Sequence, residues 1–270
     1  MNEMVLVIDK ADGPTSFDVV RGVKRLLGPK AKVGHAGSLD PFATGVLVVL
    51  TGKATKLSDA LLTADKSYRA WAKLGEATDT MDRTGEVEKT AAVPELTEDR
   101  IREILAGLQG EWWQTPPMYS AKKVHGVRLY DLARQNIRVR RPPIPVQLHH
   151  LELISYQDGV IEFEVSCSKG TYIRSLAEEI GRRLGTVAHL KELRRLTCGQ
   201  FVLSEAVTLE GLEADLQGWA DKGFKNYRKL LQSEWLGPVT RVRGGAVDPT
   251  PVRKPASRPA SAAFANSIQE

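Results

Sequence analysis

A chain of 270 residues is long enough to bury a sizeable core in one large domain or two small ones. Hydrophobic content of 42% and charged content of 26% are ordinary for a soluble protein, and no apolar run is long enough to span a membrane. Cys167 and Cys198 have no metal spacing and make no disulfide framework, and the strand-like V-L-V-I near the N-terminus shows no signal-peptide pattern, so a reduced, cytoplasmic protein is expected.

In chain order, residues 5–8 are predicted as a strand. Ser16 is placed to cap a helix whose apolar residues Val19, Val20, Val23, Leu26 and Leu27 recur at helical spacing up to Gly28-Pro29. A glycine-rich loop over 34–45 precedes the apolar run 46–50, which reads as a buried strand. A helix near 54–62 and a strand near 67–74 follow. The acidic turn 79–86 is loop-like, and Thr97 opens a helix with Glu98 and Asp99 in its first turn. Residues 114–126 look irregular and basic. Over 160–168 the pattern alternates strictly: Ile161, Phe163, Val165 and Cys167 face one way, Glu162, Glu164, Ser166 and Ser168 the other. A helix from about Ile173 to Leu184 comes next. Long strands with separate helices argue for an α+β fold.

Near Gly237 the composition changes. Four prolines lie between Pro249 and Pro259 among Ala, Ser, Lys and Arg, a segment unable to bury enough apolar surface to order itself. Residues 1–236 are therefore expected to form the folded domain and 237–270 a disordered tail. The net charge of +5 divides as +3 for residues 236–270 and +2 for the rest. Two clusters stand out: 122–141 has seven basic residues and one acidic, and 182–195 has five and one. Such clusters suggest a polyanion surface, against the plainer reading of a solvated face.

The segment G-H-A-G-S-L-D-P-F-A-T-G, residues 34–45, sets a single carboxylate, Asp40, in a constrained turn. Glycines at 34, 37 and 45 allow backbone angles or close approaches that a side chain would block, and Pro41 biases Asp40 away from the helical region. The run 46–50 would anchor this loop to a core. An Asp-Pro turn joining two elements is the plain alternative. Two other features carry nothing. T-G-K-A-T at 51–55 has the wrong glycine spacing for a phosphate loop, and Ala54 stands where Ser or Thr should follow the lysine. His149-His150 adjoins a strand pattern with no acidic or cysteine partner expected and reads as the edge of a sheet.

The segment 34–47 resembles the catalytic motif of the TruB family of tRNA pseudouridine synthases. Three more segments resemble the family's motifs in the expected order: K-S-Y at 66–68, K-G-T-Y-I-R-S-L at 169–176, and H-L-K-E-L-R-R-L at 189–196. The resemblance runs over roughly residues 4–215. It implies a largely antiparallel mixed sheet with flanking helices and the isomerisation of uridine 55 in the T loop of tRNA, without cofactor or metal. It further implies that Asp40 is the catalytic residue and that Tyr68 packs on the target uracil, its hydroxyl available for proton transfer at carbon 5. Arg174 would pair with Asp40 and keep it ionised, Tyr172 and Leu193 would line the base pocket, and His35 would contact the extruded nucleotide. Lys122, Lys123 and Arg128 would meet the RNA backbone of the T arm. A monomer with no obligate protein partner and no membrane association is expected. Bacterial members usually end in a small β-rich RNA-binding module, and no succession of strand signals for one is present here. A relative acting on another RNA, or a tRNA-binding chaperone without chemistry, are the competing expectations; the presence of Asp40 counts against the chaperone.

Overall fold

The structure, a computed structural model, describes residues 3–233 apart from Ala121, His125, Asn136 and Arg138. The predicted tail, 237–270, lies outside the described residues. The strands are β1 Val5–Lys10, β2 Val33–His35, β3 Thr44–Thr51, β4 Lys66–Leu74, β5 Glu76–Thr78, β6 Val87–Thr90, β7 Gly110–Gln114, β8 Lys123–Val124, β9 Val127–Arg128, β10 Ile144–Gln157, β11 Val160–Cys167, β12 Ala188–Cys198 and β13 Phe201–Val202. The α-helices are α1 Ser16–Leu27, α2 Ser58–Leu62, α3 Glu98–Ala106, α4 Leu129–Ala133, α5 Ile173–Arg183, α6 Leu209–Ala214 and α7 Leu216–Gln232.

The main sheet runs β1-β3-β12-β4-β11-β10-β7, with β2 added beside β3 and β13 beside β12. Every pairing in it is antiparallel except β12 with β3, where Arg194 lies beside Thr44 and Arg195 beside Gly45. This is the α+β architecture and largely antiparallel sheet expected. In β11 the alternation holds: Ile161, Phe163, Val165 and Cys167 are all buried, while the intervening residues are half-exposed. In β3 nearly every residue is buried, as its unbroken apolar run requires. Leucines and isoleucines of α3 and α5 complete the core.

Two local expectations change, and one segment with helical spacing forms a strand. The cap of α1 is Thr15, whose side chain accepts from the Asp18 amide while Asp18 accepts from the Thr15 amide, the reciprocal pair of a capping box. Ser16 lies inside the helix, and its hydroxyl holds both the amide and the carbonyl of Leu39, at 2.8 and 3.1 Å. Residues 189–196, whose leucines recur at helical spacing, belong to β12. A β-bulge between Leu190 and Glu192 puts Leu190 and Leu193, three positions apart, both in the core, so the bulge imitates the helical period. His149 and His150 lie in β10 beyond the end of its pairing with β7, and each meets an acid, Asp65 at 3.2 Å and Glu152 at 3.1 Å respectively.

Candidate active site

The Asp40 loop leaves β2, turns through Leu39 and Pro41, and enters β3. Gly37 and Gly45 have φ of +99° and +97°, conformations that side chains disfavour. Gly45 also packs against β12 so closely that a Cβ there would stand 2.2 Å from the Arg195 carbonyl oxygen. Gly34 needs no such freedom; it pairs with Leu50 in β2 with open space where a Cβ would be.

Asp40 keeps 39% of its side chain accessible and receives a two-pronged contact from Arg174, Nε to Oδ2 at 3.0 Å and Nη2 to Oδ1 at 3.4 Å. Arg174 projects from the first turn of α5 and is 4% exposed. Its remaining donors are fixed as well: Nη1 to the Thr80 carbonyl at 2.9 Å and to Asp82 at 3.3 Å, and Nη2 to the Tyr119 carbonyl at 2.7 Å. Asp82 is itself buried and accepts from the hydroxyls of Thr80 and Thr84 and from the Thr84 amide. The acidic turn is therefore no solvated loop at this point. It holds the far side of the arginine that holds Asp40.

Beneath the loop lies a second cation. Lys10, at the end of β1, is 1% exposed and donates to the carbonyls of Ala11, Pro41 and Ala43 at 2.8, 2.8 and 2.7 Å. Burial lowers its pKa to about 8, against the opposing pull of Asp12 and Asp40, which leaves it mostly charged at neutral pH. Withdrawal from water pushes the Asp40 carboxyl above the ordinary carboxylate range; Arg174 opposes this, Asp82 reinforces it, and Lys10 opposes it. Arg174 thus orients Asp40 without fully offsetting the burial.

Tyr68 and Leu193 sit in adjacent strands, each 7% exposed. Tyr68 faces Arg195 across β4 and β12, and burial raises its hydroxyl pKa to about 12, partly countered by Arg195. The phenol therefore keeps its proton at neutral pH. Tyr172 stands at the N-cap of α5, half-buried, its amide donating to Gln114 Oε1 at 2.9 Å. His35 ends β2; its Nδ1 is buried without a hydrogen-bond partner, and burial followed by the Arg195 charge lowers its pKa. Lys122 is half-buried, and the backbones of Lys123 and Arg128 face each other in the β8–β9 hairpin; the side chains of these two fall outside the described atoms. The segment reaches the site through the Tyr119 carbonyl on Arg174. Asp40 and Arg174 thus meet directly.

Lys10, Asp82 and Arg195 are the residues that sequence reasoning missed. Each reads in sequence as an ordinary charge: a lysine after an apolar strand, one acid in an acidic turn, one arginine in a basic cluster. The available signal was the strand V-L-V-I-D-K, whose alternation turns Lys10 inward with Leu6 and Ile8. Among the described residues, no group of three His, Cys, Asp or Glu side chains is arranged to hold a metal ion.

Two family descriptions match consecutive parts of the chain: "TruB family pseudouridylate synthase (N terminal domain)" over residues 24–173 and "tRNA pseudouridylate synthase B C-terminal domain" over residues 174–234. A tRNA pseudouridine synthase B of Bordetella avium is 49% identical over 212 residues, 78% of this chain and 86% of the relative. One of Opitutus terrae is 46% identical over 210 residues, 78% of this chain and 87% of the relative. Among solved structures, a chain in the crystal structure of a Cbf5-Nop10-Gar1 complex superposes with a TM-score of 0.64 at 32% identity, covering 83% of this chain and 57% of that one.

Proposed function

The chain belongs to the TruB family of pseudouridylate synthases, and we propose that it isomerises uridine 55 in the T loop of tRNA, with Asp40 as the catalytic carboxylate and no cofactor. The observation that carries this reading is the Asp40–Arg174 fork: a carboxylate still 39% accessible, gripped by an arginine that is itself locked on its other side.

The reaction breaks the bond from ribose C1′ to uracil N1, turns the base, and forms a bond from C1′ to carbon 5. Carbon 5 gives up its hydrogen and N1 ends with one, so nothing is gained or lost overall. A carboxylate near C1′ can trap the sugar as the bond breaks, or remove a proton from it. A hydrolase would set a second carboxylate to activate water. Here the neighbouring acid, Asp82, is 3% exposed and engaged by two threonines and Arg174, which favours rearrangement over hydrolysis. Asp40 acts ionised, so activity falls as pH drops through its raised pKa.

His35, half-buried where β2 enters the loop, suits a contact to the extruded nucleotide. Tyr68 and Leu193 supply the apolar wall of the base pocket and Tyr172 its rim. Lys122, Lys123 and Arg128 meet T-arm phosphates. The enzyme acts as a monomer in the cytoplasm, and its chemistry does not require residues 237–270. Incubating the purified chain with an unmodified tRNA transcript and mapping pseudouridine by chemical labelling tests this. Modification at position 55, absent when that uridine is replaced by cytidine, is the expected result. No modification, or modification only at other sites, refutes it.

A further inference from the structure

Among the described residues, Arg195 is the largest side chain that the fold buries almost completely, at 1% exposure. Its guanidinium donates to the carbonyls of Val46 at 2.6 Å, Ser38 at 3.3 Å and Gly37 at 3.2 Å. Gly37 and Ser38 lie on the arm of the loop that leads into Asp40, and Val46 lies on the arm that leads out. The backbone of Arg195 closes the same loop, since Gly45 packs onto it with no room for a Cβ.

On its other side Arg195 is the direct cross-strand partner of Tyr68, which sets the two side chains next to each other on one face of β4 and β12. The guanidinium acts on the Tyr68 hydroxyl and favours its ionised form. A buried guanidinium held by neutral carbonyls carries a large desolvation cost, and an apolar side chain would fill the same space without it. What an apolar residue cannot supply is a rigid fork of donors reaching three carbonyls while its charge lies beside a phenol.

We propose that Arg195 is a positioning residue for the reaction: it joins both arms of the Asp40 loop to the strand position of Tyr68, so that carboxylate and ring meet the target nucleotide as one unit. This rests on the synthase activity proposed above. Lysine in its place reaches one or two of these acceptors, and the unit loosens. Displacement of a catalytic group by about an ångström is enough to cost on the order of a hundredfold in rate.

The test is single-turnover modification of a tRNA transcript at saturating enzyme, where the plateau rate does not depend on the competent fraction of the preparation. Arg195→Lys, and Arg195→Gln as the second variant, should lower the plateau at least about tenfold, with transcript binding within about threefold of the parent. Tyr68→Phe combined with Arg195→Lys should lose less than the product of the two single losses, because both act on one unit. A parental plateau rate in a folded variant overturns the proposal, as do strictly multiplicative losses. Failure of both Arg195 variants to fold would place the residue with stability alone and overturns it too. If the parent itself forms no pseudouridine, the proposed function falls first; an active parent with unaffected variants refutes only the role of Arg195.

Discussion

Two stretches of this chain carry similar excess positive charge, six over 122–141 and four over 182–195, and the fold sends them to different places. In the second, Arg195 is buried under the Asp40 loop, Arg194 donates to Asp9 at 2.7 Å, and Arg182 and Arg183 both lean on Glu179 at 2.8 Å. In the first, Arg134 lies exposed over the ring of Tyr130, Arg141 donates to the Pro116 carbonyl, and Arg140 is exposed. Counting charge along a sequence does not separate cations that hold a loop in place from cations offered to a ligand; their partners do. The inward set should therefore govern rate and the outward set binding, and each can be probed alone.

The largest effect belongs at the centre of the inward set. Asp40→Asn keeps the shape and removes the ionisable group, so turnover should fall about a thousandfold or more while tRNA binding stays within a few-fold. Pseudouridine formation at a substantial fraction of the parental rate would remove Asp40 from the mechanism. The same variant bears on stability. Burial raises the native pKa of Asp40 above its unfolded value, so its contribution favours the fold at low pH and is lost as pH rises through the native pKa. At neutral pH the native state carries the cost of an ionised, partly desolvated acid. Asp40→Asn should accordingly raise the melting temperature at neutral pH, with the gap closing in acid.

Next in size is the first stretch. Replacing Lys122, Lys123 and Arg128 together by glutamine should weaken tRNA binding and reduce the log–log salt slope by roughly one for each phosphate left without its cation, with little change in turnover at saturating RNA. An unchanged slope would make 122–141 a solvated face and dissolve the contrast between the two stretches.

Lys10 sharpens the inward side. Its charge holds the Asp40 carboxyl down, so Lys10→Met should move the acidic limb of the pH–rate profile to higher pH. A limb that stays in place, in a variant that still folds, would mean that Lys10 braces the backbone without tuning Asp40.

Much of this layout was legible from sequence. Alternation gave β11, the apolar run gave β3, and the order of motifs paired Asp40 with Arg174. The supports were not legible, because a charge turned onto backbone carbonyls looks in sequence like a charge turned to water. Lys10 and Arg195 direct their donors to main-chain oxygens, which no side-chain pattern advertises. Asp82 is hidden for a related reason, its partners being threonines of its own turn and an arginine 92 positions away. In β12 a bulge reproduced the spacing of a helix.

The smallest expected effect is the one that isolates the comparison. Arg182 and Arg183 belong to the second basic stretch by sequence, yet both donate to Glu179 in the last turns of α5, and Arg183 also reaches the Gly107 carbonyl at 3.1 Å. Cations at that end of a helix also meet its partial negative charge, which gives them a local function without any ligand. Exposed pairs of this kind add little to stability. Arg182→Gln with Arg183→Gln should lower the melting temperature slightly and leave turnover, tRNA affinity and the salt slope where they were. A slope reduced by one or more would show that these arginines also meet phosphate. The division between an inward and an outward basic stretch would then have to be redrawn around Arg194 and Arg195 alone.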